Sequence, residues 1–121
     1  MTNSSTNEMV LVYDIRRDKF NRERLSSGFP RRWRALESGK KRTKISEGLI
    51  TKLFFAPYEG DHFFELDDGK RRRSWVRFGD ESWYAVGRRV RVEFAEFRVF
   101  ICLRFDVIQV VTKIWIGDDA A

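Results

Sequence analysis

The densest chemistry in the chain is the run Lys70-Arg71-Arg72-Arg73-Ser74-Trp75-Val76-Arg77-Phe78. Cations with an indole and a phenyl ring threaded through them suit a polyanion that carries flat bases. Lys and Arg release counterions from phosphates, and aromatic rings stack on unpaired bases. A second cationic cluster is Arg31-Arg32-Trp33-Arg34, followed by Lys40-Lys41-Arg42-Thr43-Lys44. It reads as a clamp on a phosphate backbone, as a two-part nuclear address, or as a solvated helix face that Trp33 anchors to the rest of the fold.

Chemistry of the bond-breaking kind has few candidates. The one histidine, His62, opens a strand-like stretch beside Phe63 and Phe64 and reads as structural. The one cysteine, Cys102, lies in the apolar run Phe100-Ile101-Cys102-Leu103 and reads as a small buried residue. The two are far apart in sequence, so no zinc set assembles. There is no Gly-rich phosphate loop and no nucleophile elbow. Asp61, Glu65, Asp67 and Asp68 cluster near a hairpin and in principle suit Mg²⁺. Turn chemistry accounts for Asp67-Asp68-Gly69 without one. The expectation is a protein with no enzyme activity, no metal and no cofactor. A nuclease on a small barrel is the alternative, because its ligands need not be neighbours in sequence.

The elements that must position these residues follow from composition. The chain has 121 residues, 42% of them hydrophobic and 15% aromatic, with a net charge of +6. That length supports one domain, and that composition is too apolar for a disordered chain. The first 44 residues hold 12 Lys and Arg against 5 Asp and Glu, whereas the remaining 77 hold 12 against 13. The basic excess therefore sits in an N-terminal arm attached to a nearly neutral domain. The opening MTNSSTNEM lacks the order of a signal peptide, and no apolar run approaches a membrane span. These features predict an intracellular protein of the cytoplasm or nucleus that does not bind membranes.

Residues 1–8 read as a disordered tail, and residues 9–43 as the basic arm. The arm holds a short strand at Met9–Tyr13 and helices over about 16–25 and 30–38, each with a thin apolar stripe. Residues 44–117 alternate with period two, ahead of a tail at 118–121. Strands are expected at about 44–55, 62–67, 71–78, 88–95 and 98–116, the last bent or broken near Asp106. Asp67-Asp68-Gly69 marks a tight turn, and Gly79–Gly87 suits one short helical turn. The fold class is mainly β: a five-stranded antiparallel barrel.

The strand order, the internal glycine Gly48, the DDG turn and the element Ala85-Val86-Gly87-Arg88-Arg89-Val90-Arg91-Val92 together resemble the OB-fold of single-stranded nucleic-acid-binding proteins. The resemblance covers residues about 44–116. The connection between the third and fourth strands is shorter than in many members, which keeps an SH3-like small barrel as the alternative.

Within the third strand, Val76 and Phe78 share parity with Arg72 and Ser74, which makes theirs the core face. Arg71, Arg73, Trp75 and Arg77 then project outward together, spaced about 6.5–7 Å apart. In the second strand, His62, Phe64 and Leu66 point inward, so Phe63 joins Trp75 outside. By resemblance, the face of these two strands and its flanking loops carry the ligand. That adds Tyr58 from the first loop, and Phe97 and Arg98 from the turn before the last strand. With Arg31, Arg32, Arg34, Lys40, Lys41 and Arg42 of the arm, these residues form the expected site. The expected partner is single-stranded DNA or RNA. The alternative is a protein–protein module within a larger complex, its exposed aromatics acting as interface anchors.

Overall fold

The computed structural model describes residues 8–119, so the expected disorder of residues 1–7 and the last two residues of the C-terminal tail lie outside the described residues. Six antiparallel strands form one curled sheet, a half-barrel: β1 (Met9–Asp14), β2 (Lys44–Ala56), β3 (Asp61–Asp67), β4 (Arg72–Val76), β5 (Arg88–Ile101) and β6 (Arg104–Asp119). Their order across the sheet is β1-β6-β5-β2-β3-β4. Two helices, α1 (Lys19–Gly28) and α2 (Pro30–Glu37), follow β1. The architecture is mainly β and compatible with a small barrel of the OB kind, with six strands where the sequence predicts five.

The sixth strand is β1. It pairs with β6 from Met9↔Gly117 to Asp14↔Lys113. Tyr13, Ile15 and Trp33 are buried in the same core as the barrel strands. The N-terminal region therefore supplies both an edge strand and core aromatics. Helix α1 is capped by Asp18, whose carboxylate accepts the backbone N–H of Asn21 at 3.2 Å, its side-chain amide at 2.6 Å and the Tyr13 hydroxyl at 2.8 Å. Pro30 opens α2.

The clean alternation of β5 places Val90, Val92 and Phe94 in the concave core, opposite Ile116, Ile114 and Val111 of β6. Ile50, Phe64, Leu66, Trp75 and Tyr84 complete that core. Gly48 lies where β2 crosses the end of β3. A Cβ there would overlap the carbonyl oxygen of Asp67, so only glycine fits. At the other end of the sheet, Gly79 sits at φ 82° with room for no side chain beside the carbonyl oxygen of Val12. Next to it the Tyr13 and Phe78 rings stack at 4.5 Å, bringing the chain after β4 against β1.

The Asp67-Asp68-Gly69 turn forms as expected. Asp67 accepts from the Gly69 N–H at 2.8 Å, and Asp68 from those of Lys70 and Arg71 at 2.9 and 3.0 Å. The expected helical turn in 79–87 is a 3-10 turn at Glu81–Trp83, capped by Asp80.

The expected fifth strand needs correction. The chain turns back at Cys102 and Leu103, both at positive φ (51° and 63°), as a two-residue hairpin of the twist-matched kind requires. The predicted fourth strand and the start of the predicted fifth form one continuous β5, and the remainder is β6. Cys102 is accordingly exposed at the hairpin tip rather than buried. Val99, Ile101, Leu103 and Phe105 alternate as one apolar face of the expected fifth strand, yet only Val99 is buried.

Candidate nucleic-acid interface

The parity of β4 is the reverse of the expected one. Phe64 pairs with Trp75, and Phe63 with Val76. Trp75 is 4% exposed and packs on the Phe94 ring at 4.8 Å. Two facts explain the reversal. Strand β4 ends at Val76, and the Phe78 N–H donates to the Val76 carbonyl at 2.9 Å. Phe78 therefore lies in a turn, and its parity says nothing about the strand. What remains is a choice between burying Trp75 and burying Val76, and the larger apolar area settles it.

The cations sharing the Trp75 face sit at the barrel rim. Arg73 lies over the Phe94 ring at 5.4 Å. Arg77 is nearly enclosed; it donates to the Phe54 carbonyl at 3.4 Å and to His62 Nδ1 at 3.1 Å, with Glu81 at 3.5 Å. Arg71 remains exposed just before β4. Phe63 lies on the opposite face, stacked on Phe54 at 5.7 Å. The structure thus divides the residues expected to share one face between two faces, with Trp75 in the core. Tyr58 is fully exposed in the β2–β3 loop.

Phe97 is likewise not in a turn. It is buried within β5, with the Lys41 ammonium 4.8 Å from its ring. Its neighbour Arg98 points to the other face of the strand and is exposed. Arg32 donates to the Arg98 carbonyl at 3.2 Å, which ties α2 to the β5–β6 hairpin. Arg31, Arg34 and Lys40 line an open hollow beside Ser38, and Arg42 is exposed.

In the outer half of the β5–β6 hairpin, Arg98 of the expected site has aromatic neighbours that the expected strand pattern does not single out. The pairs Arg98↔Val107 and Phe100↔Phe105 place these four side chains on one face. Phe100 and Phe105 are 60% and 65% exposed and meet edge to face at 5.0 Å. The Arg98 guanidinium lies 5.8 Å from the Phe105 ring. Leu103, 89% exposed, stands at the tip. The signal was present in the spacing: Phe100 and Phe105 flank a two-residue turn, so they must face each other. A single strand over 98–116 places the two rings five residues apart with no turn between them.

Nearer the barrel on the same face, the Lys44 ammonium pairs with Glu96, which also accepts from Gln109 at 3.0 Å. Those hydrogen bonds, Lys44 first, hold the Glu96 carboxyl below its ordinary range. Glu96 is therefore charged and neutralised by Lys44. The hairpin face presents cations, aromatics and a compensated carboxylate.

Among the described residues, no group of three or more His, Cys, Asp or Glu side chains is placed to hold a metal, and no helix is long and apolar enough to cross a membrane. No family model and no curated protein sequence matches the chain.

Proposed function

We propose that the protein binds single-stranded nucleic acid without catalysis, through the outer face of the β5–β6 hairpin and the basic helical segment behind it. The observation that carries the proposal is the exposed Phe100–Phe105 pair with Arg98 beside it. Two rings offer stacking platforms for unpaired bases, and Arg98 adds a phosphate or cation–π contact. Arg71 next to β4, and Arg31, Arg34, Lys40 and Arg42 on the arm, provide further phosphate partners. The sites differ from those expected at β4, while the chemistry is the same.

Titration of labelled single-stranded and duplex oligonucleotides tests this. Stacking requires unpaired bases, so single strands should bind more tightly. Equal affinity for the two would leave only a general cation effect.

A second reading has its own support. Ile101, Leu103 and Val107 add apolar surface to the hairpin beyond what stacking needs. Such an arm suits insertion into a protein groove as a subunit of a larger complex. Salt separates the two readings, because phosphate-driven binding weakens steeply as salt rises and an apolar interface does not.

A further inference from the structure

Strand β4 ends the sheet, and its outer edge is unpaired among the described residues. The Arg77 N–H donates to the His62 carbonyl, and the Asp68 N–H to the Arg71 carbonyl. Antiparallel pairs alternate, so Arg73 and Trp75 also bond across to β3. The backbone groups of Ser74 and the N–H of Val76 therefore point outward.

A second open edge lies opposite. Strand β6 pairs with β1 only over 113–117, and over 104–111 it pairs with β5 alone. The hairpin closes at Ile101↔Arg104, and the same alternation turns the backbones of Gln109 and Val111 away from β5.

These four residues line one slot of about 260 Å³, walled on the outside by Arg24 and Leu25 of α1. Trp75 also lines it, and its indole N–H, though buried, has no hydrogen-bond partner. A buried donor without an acceptor is costly and calls for a missing partner. Two facing strand edges and an orphan donor share one complement: an extended chain that offers amides on both sides.

We propose that this slot receives an extended peptide segment of a partner protein, which adds a strand between β4 and β6 and gives Trp75 an acceptor. Nucleic acid has no amide ladder to offer these edges. Trp75 and Val111 favour an apolar residue on the inner side of the inserted segment, and Arg24 favours an acidic residue on the outer side. This proposal does not rest on nucleic-acid binding by the hairpin.

The test uses acetyl-Val-Glu-Val-Glu-Val-amide, whose length matches the five residues of β4, titrated into the ¹⁵N-labelled full chain. The Ser74 and Val76 amides and the Trp75 indole N–H should shift, and the two amides should exchange about tenfold more slowly. Ser74→Pro removes an outward N–H without touching the β3 ladder and should abolish these changes. Should that variant not fold, the same peptide N-methylated at alternate amides decides on the wild type, and it should have no effect. The proposal is overturned if millimolar peptide leaves these resonances unmoved or if the N-methylated peptide acts equally well. It is also overturned if only oligothymidylate shifts them, or if the Trp75 indole is held by a bound water that the peptide does not displace.

Discussion

Replacing Phe105 with alanine removes a ring whose surface is mostly in solvent. Single-strand affinity should fall by about 1–3 kcal/mol, the scale of one stacked base, with little loss of stability. Trp75→Ala acts in the opposite way. The ring is buried against Phe94, so the variant should lose about 3–5 kcal/mol of stability in a denaturant titration. The contrast shows where single-residue patterns run out. The run Lys70–Phe78 carries cations on both faces of a short strand, so only Val76, Trp75 and Phe78 remained to set its parity, and Phe78 lies beyond the strand end. Phe64, Leu66, Val90, Val92 and Phe94 were legible because long, regular alternation overrides any one exception.

At the scale of elements, turn chemistry separates what the sequence shows from what it hides. Asp67-Asp68-Gly69 announces its hairpin. Cys102-Leu103 does not, since neither residue favours positive φ. Replacing the pair with Asn-Gly should relieve that strain and stabilise the hairpin by about 1 kcal/mol or more, read as a higher Tm. Gly48→Ala should do the reverse. Its methyl group meets the Asp67 backbone, which cannot yield as a side chain would, so a loss of about 1–3 kcal/mol is expected. The N-terminal segment was legible as a strand and two helices, while its pairing with β6 requires contacts across the whole chain. Deleting residues 1–43 should leave an unfolded chain, because it strips an edge strand together with Tyr13, Ile15 and Trp33 from the core. A cooperative unfolding transition in the truncated chain would show that the five remaining strands suffice.

At the scale of the whole molecule, charge bears on acid stability and on the proposed binding. Burial opposes ionisation of Asp14 and Asp18, but hydrogen bonds outweigh it: from Arg16 to Asp14, and from Asn21 and Tyr13 to Asp18. Both carboxyls titrate below their ordinary range. A lowered folded-state pKa contributes stability above the unfolded value, near pH 4, and that stability is lost as pH falls through the folded one. Acid unfolding should thus begin below about pH 4, and Asp14→Asn with Asp18→Asn should flatten that limb. In the proposed mode of binding, the positive excess of the arm acts together with the hairpin, to which Arg32 joins it. The most direct measurement is anisotropy of a labelled single-stranded oligonucleotide at several salt concentrations, for the wild type and for Phe100→Ala/Phe105→Ala. The wild type should prefer single strands over duplex, with log K falling by about 0.7 per phosphate contact for each decade of salt. The double variant should bind at least tenfold more weakly with the same slope, since it loses platforms and keeps its cations. Unchanged affinity in that variant would contradict the hairpin as the binding surface.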